Sequence, residues 1–273
     1  MDQITSISRK GIKTTGEKLK QERKTENEKI RFIVSKTFLG STGRFRLGFA
    51  WIILEPMLTA LIYVFLFSVI NSSISGEEII IGIGTYGVFS SSFRSGISGL
   101  AQDNGGFTAE RIRTSVLVKA DLLYSAIEGG IRAISMLILL FLIMEVSVPG
   151  GLLFIPICSF LSAISKSMGY NFALISANSP DIKQIFDFFI RLGFFLSPVL
   201  YPLSQTEGLH RSVNMFNPTT YFIELSRFVT GTLEEQIAIL NLQSLLVLGL
   251  FILLGIRGVV KLDNFRWRVS TWN

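Results

Sequence analysis

The sequence predicts an all-α, polytopic membrane protein with six transmembrane helices, an N-terminal amphipathic interface helix and short external helices. Three observations carry this expectation. Hydrophobic residues make up 49% of the 273 and charged residues only 17%, against about a quarter charged in a soluble domain. Apolar runs reach the ~20 residues that a helix needs to cross a bilayer. Basic residues gather on one set of segments, as the positive-inside rule requires.

Residues 1–27 are polar and lack a period, so they are expected to form a mobile basic cytoplasmic segment. Up to residue 46 the chain carries twelve Lys and Arg against five Asp and Glu, a local excess of +7 in a chain of formal net charge +6. An excess of this kind ahead of the first apolar run marks a membrane face, and nucleic acid is not expected as a partner. Within residues 28–46, Ile30, Ile33, Val34 and Phe38 recur at helical spacing, while Lys29, Arg31, Ser35 and Lys36 take the other face and Phe32 breaks the stripe. This predicts an amphipathic helix lying in the cytoplasmic headgroup layer.

The transmembrane domain is expected over residues 47–257. Residues 47–70 and 236–256 are strong spans, and weaker ones lie near 79–100, 125–147, 150–170 and 182–201, interrupted by Gly, Ser and a few charges. An even number of spans puts both termini on one side. Lys and Arg populate the N-terminus, the loop at 102–121 (Arg111, Arg113, Lys119) and the tail, whose residues 258–273 include Lys261, Arg266 and Arg268. The loops at 71–78 and 145–151 have none, and the loop at 202–235 has only Arg211 and Arg227. Both termini are therefore expected in the cytoplasm. No small-residue cleavage pattern follows the first apolar run, so span 1 is expected to act as an uncleaved insertion signal.

Enzymatic signatures fail on inspection. "GIKTTGEK" (11–18) has the glycine spacing of a P-loop, but Glu17 stands where lysine is needed and no apolar strand precedes it. "GIGTYG" (82–87) matches a dinucleotide fingerprint by letter only, because it sits inside a membrane span. The single histidine, His210, forms a triad with Ser204 and Glu207 only on paper, as any loop of that size would allow. No Cys/His cluster offers a metal site, and the single cysteine, Cys158, excludes an intramolecular disulfide and reads as apolar filler. No catalytic residue, metal or cofactor is assigned to this chain.

Four blocks in order carry a resemblance. "FRLGFAWIILEP" (45–56) resembles the start of the first membrane helix in ABC exporter permeases of the capsule-polysaccharide kind, a type-2 export family that includes O-antigen and teichoic-acid exporters. "VFSSSFRSGISGLAQDNGGF" (88–107) resembles that family's second helix and following cytoplasmic loop, and "SPDIKQIFDFFIRLGFFLSPVLYPL" (179–203) its fifth helix. "NPTTYFIELSRFVTGT" (217–232) resembles the Asn-Pro segment before the last helix. The likeness covers roughly 28–257; "ERIRTSVLVKAD" lacks the proline usual after the cytoplasmic loop, and the tail "KLDNFRWRVSTWN" has no counterpart.

The resemblance implies a homodimeric permease in the bacterial inner membrane, exporting a lipid-linked, capsular polysaccharide with two ATPase subunits and periplasmic export proteins as partners. ATP and Mg would sit on the partner. A permease for a drug or small lipid is the alternative, and a membrane-embedded sugar transferase a more distant one. Residues 102–113 become the coupling loop, with Gln102, Asp103, Asn104, Gly105, Gly106, Phe107, Glu110 and Arg111 as contacts; without the resemblance they read as a solvated turn. Arg44, Arg46 and Trp51 would anchor span 1 at the cytoplasmic entrance, where Glu55 and Pro56 bend it. Arg94, Lys166, Arg191, Phe194, Phe195 and Tyr201 are candidates for a substrate path. The pairs Glu128/Arg132 and Asp187/Arg191, acid first at i,i+4, would otherwise simply neutralise each other. On the path reading, neutralising Lys166 lowers export at constant abundance. The loop at 202–235 would form the external gate, with Asn217 and Pro218 as its turn, Tyr221 in the outer aromatic belt and Glu224/Arg227 as an i,i+3 pair.

Overall fold

The computed structural model describes residues 2–42, 50–70, 75–99, 114–143, 148–232 and 241–269. Among them the regular elements are all helical: α1 (Asp2–Thr42), α2 (Ala50–Ile70), α3 (Gly76–Ile97), α4 (Thr114–Ile143), α5 (Val148–Asn178), α6 (Pro180–Leu196), α7 (Gly208–Phe216), α8 (Pro218–Thr230) and α9 (Leu242–Val269), with a 3-10 turn at Leu203–Gln205. Each expected span has its helix. Four helices, α2, α4, α5 and α9, are long and apolar enough to cross a membrane. α3 carries Glu77, Glu78 and Arg94, and α6 has 17 residues, short of the ~20 a span needs.

α5 is the axis of the bundle, packed against α3, α4 and α9. α3 is buried along most of its length, and its Ile79, Ile80, Ile81 and Ile83 share one core with Met136, Leu140, Phe154, Leu161 and Ile223. Its start is capped by Ser75, whose Oγ accepts from the Glu78 amide at 3.3 Å, with Glu77 and Glu78 set favourably in the first turn of the dipole. α3 and α5 cross at glycines. A Cβ at Gly96 would run into the Lys166 carbonyl oxygen, and one at Gly169 into the Phe93 carbonyl oxygen. Backbones this close gain dispersion contacts where no hydrophobic force acts between helices in lipid.

α2 is the opposite case. Ala60 is its one buried residue, and Leu58, Ile62, Phe65 and Val69 are exposed. α6 likewise exposes Ile185, Phe188, Phe189 and Phe195.

Three expected boundaries move. Residues 2–27, expected to be mobile, are part of α1, so the helix predicted from residue 28 begins much earlier. Lys13/Glu17, Lys18/Glu22 and Lys24/Glu28 stand at i,i+4 with opposite charges, and the run is free of proline, which favours helix. Ile33 and Val34 of the expected stripe are buried against Val116, Leu117, Ala120 and Tyr124 of α4. That contact also explains why α4 starts at Thr114, inside the stretch read as a loop. Finally, the tail read as separate from residue 258 continues α9, which is tied to α4 by the Thr114 hydroxyl donating to Asp263 at 2.8 Å.

Candidate functional site

The polar groups of the bundle gather into four clusters at different levels. At one end of the bundle, α8 begins where Asn217 accepts from the Thr219 amide at 3.0 Å and Pro218 supplies a pre-set first turn, and it ends at Gly231 with φ +76°. This places Arg227 wholly inside the protein. Its guanidinium donates to Glu224 at 2.9 Å and to the carbonyls of Glu78 at 3.1 Å, Val199 at 2.9 Å and Tyr201 at 3.1 Å. Glu224 also accepts from the Leu203 amide at 3.3 Å. One side chain thus joins α8, the start of α3 and the segment after α6. Burial raises the Glu224 carboxyl above its ordinary value and lowers the Arg227 guanidinium below its own, while each charge opposes the other's shift.

Two other candidate residues, Tyr221 and Tyr201, lie in the same region. The Tyr221 hydroxyl donates to the Met215 carbonyl at 2.6 Å, joining α8 to α7. Tyr201 lies 2.8 Å from His210 Nε2, so the histidine partners a tyrosine instead of Ser204.

Inside the bundle, Lys166 is 2% exposed and donates to Asp121 at 2.5 Å, with the Tyr170 hydroxyl on the other oxygen of the same carboxylate. One turn further along, the hydroxyls of Ser92, Ser125 and Ser162 bond to one another at 2.7 and 2.8 Å. This polar seam joins α3, α4 and α5. Lys166, a candidate for the substrate path, turns its charge toward the packed interior in this structure. Asp121, Tyr170 and the serines escaped sequence reading because their partners stand on other helices, with 45 positions separating Asp121 from Lys166.

The third cluster bridges α2 and α4. Arg132 lies 3.1 Å from Glu128, as the i,i+4 spacing predicts, and 4.0 Å from Glu55. The Glu55 side chain is 54% exposed, next to Pro56 inside α2, with Trp51 one turn before it and also exposed.

The fourth replaces an expected pair. Asp187 binds Arg94 of α3 at 2.7 Å, and among the described residues Arg191 donates to the Asp187 backbone carbonyl at 3.2 Å. The cross-helix partner takes the carboxylate through the Arg94 Nε, while Arg191 is exposed. Arg191 keeps an exposed charge beside the exposed Phe195. Phe194 turns inward, 5.5 Å from Tyr63 and 5.4 Å from Tyr86 between ring centres, and the series continues through Phe89, Phe93 and Phe186 along the α3–α6 seam. The candidates Arg44, Arg46 and all of residues 102–113, from Gln102 through Arg111, lie outside the described residues.

Known proteins resemble this chain over most of its length. The family model for "ABC-2 type transporter" matches residues 28–230. The polysialic acid transport protein KpsM of Escherichia coli is 24% identical over 218 residues, covering 77% of this chain and 84% of that protein. A second Escherichia coli protein of the same name is 23% identical over 218 residues, with the same coverage.

Proposed function

The chain belongs to the ABC-2 type transporter family, and from that premise we propose that it exports a lipid-linked, capsular-type polysaccharide across the bacterial inner membrane. The family implies a multi-pass membrane subunit that works with an ABC ATPase and is not itself an enzyme. The observation that carries the finer reading is the likeness to a polysialic acid transport protein, which covers 77% of this chain and 84% of that protein.

In this reading two copies pair, both termini face the cytoplasm, and all six long helices after α1 cross the bilayer. ATP and Mg act on the two partner subunits, which dock on residues 102–113. The exposed flanks of α2 and α6 border the path between copies, where Arg191, Phe195 and the Glu55–Arg132–Glu128 cluster offer charge and aromatic faces to a sugar chain. α7 and α8, latched by Arg227, close its outer end, and periplasmic proteins take over the polymer.

The test is gentle affinity purification of the tagged chain from its native membranes, with ATPase activity and surface polysaccharide measured in parallel. A co-eluting ATPase that is lost when Asn104 to Phe107 are replaced by alanine, together with loss of surface polymer, supports the reading. ATPase retained but polymer unaffected by deletion of the chain points to a drug or small-lipid permease.

A further inference from the structure

Between α5 and α9, toward the end of the bundle that the proposed topology puts in the cytoplasm, lies a cavity of about 260 Å³ lined by Met168, Asn171, Phe172, Ile175, Leu254, Arg257 and Lys261. Met168, Phe172, Ile175 and Leu254 make much of its wall apolar, and Leu253, Ile256 and Val260 of α9 are exposed along a helix apolar enough to span a membrane. Two cations stand at one end of it. Arg257 and Lys261 are four residues apart on α9 and so share a face.

A lysine near the end of a span ordinarily extends its ammonium outward to the headgroups. Lys261 does the opposite: its ammonium donates to the Asn171 backbone carbonyl on α5 at 2.8 Å, which holds the charge on the cavity floor. Asn171 is itself fixed, its amide nitrogen donating to the Leu254 carbonyl at 2.8 Å, while its side-chain oxygen is buried without a described partner. Gly258 permits the arrangement, since a Cβ there would meet the Ser167 carbonyl oxygen and push α9 off α5. The ion pairs among the described residues leave Arg257 out, and it is exposed beside the opening.

We propose that this groove binds an anionic phospholipid of the cytoplasmic leaflet, its phosphate held by Arg257 and the free donors of Lys261 and its acyl chain lying along Ile175 and Leu254. The occupant is a lipid, not a soluble anion, because the cations are reached across exposed apolar surface that only a bilayer covers. The site faces lipid on the α5–α9 flank, apart from α2 and α6, and does not depend on what the protein exports.

Native mass spectrometry of the full chain in detergent, titrated with phosphatidylglycerol or phosphatidylcholine, tests this. Phosphatidylglycerol is expected to bind in preference to phosphatidylcholine, and R257Q/K261Q to weaken it about 10-fold or more. Ile175→Trp, which keeps both cations but fills the groove, is expected to weaken it as well. Size-exclusion profile and helical circular dichroism identify any variant that has misfolded, and the Ile175→Trp arm then decides. Equal binding of the two lipids, unchanged binding by either variant when folded, or displacement of the lipid by millimolar inorganic phosphate would overturn the proposal.

Discussion

Arg227 satisfies three backbone carbonyls and one carboxylate from a position with no access to solvent. Breaking a buried pair from one side strands the other charge, which costs about 3–5 kcal/mol. Arg227→Met is therefore expected to lower the melting midpoint of the detergent-solubilised protein sharply and to reduce its abundance in membranes. Adding Glu224→Gln, which keeps an acceptor for the Leu203 amide, is expected to recover part of that loss, roughly 1–3 kcal/mol, because the stranded charge is gone. Equal midpoints for Arg227→Met and the double variant would show that the pair does not act as a unit. The same reasoning applies to Lys166, whose neutralisation leaves Asp121 with Tyr170 alone; reduced abundance, not export lost at constant abundance, is the outcome that its burial favours.

At the level of helices, packing follows how much of each one the rest of the chain covers. α3 and α5 meet through Gly96 and Gly169, so Gly96→Val forces a methyl group toward the Lys166 carbonyl. Overpacking of this kind costs about 1–3 kcal/mol. A lower melting midpoint and early loss of monodisperse protein on size exclusion are expected, while Gly87→Val, where nothing lies within reach of a new Cβ, is expected to be near neutral. The helices themselves were legible because apolar runs are local. The start of α4 was not, since Val116, Leu117 and Ala120 become core only through α1, some 80 positions earlier. The i,i+4 rule found Glu128/Arg132 and failed for Asp187/Arg191, where Arg94 from another helix took the carboxylate. Spacing along one helix predicts a partner only when no neighbouring helix offers a better one.

For the whole molecule, the contrast between α5 and α2 sets the expected assembly. α2 leaves Ile62 and Phe65 facing outward, whereas the bundle closes around α5. If α2 lies at the meeting of two copies, Ile62→Cys is expected to form an oxidatively crosslinked dimer in native membranes, and Leu250→Cys on the exposed flank of α9 is not. The native Cys158 is buried and leaves this readout clear. Crosslinking through α9 alone would place the dimer on the opposite flank and remove the proposed path.

The Arg227 latch also fixes an order of events in biosynthesis. The Glu78 carbonyl at the head of α3 waits for a donor that is 149 positions further along the chain. At typical synthesis rates that interval is roughly 7 to 30 s. During it the first helices can insert, but the head of α3 is left open, and a chain that stops after α6 never acquires the guanidinium that closes it. Closure of that end therefore waits until α8 has been made and precedes α9, so the latch records that the chain has passed its eighth helix.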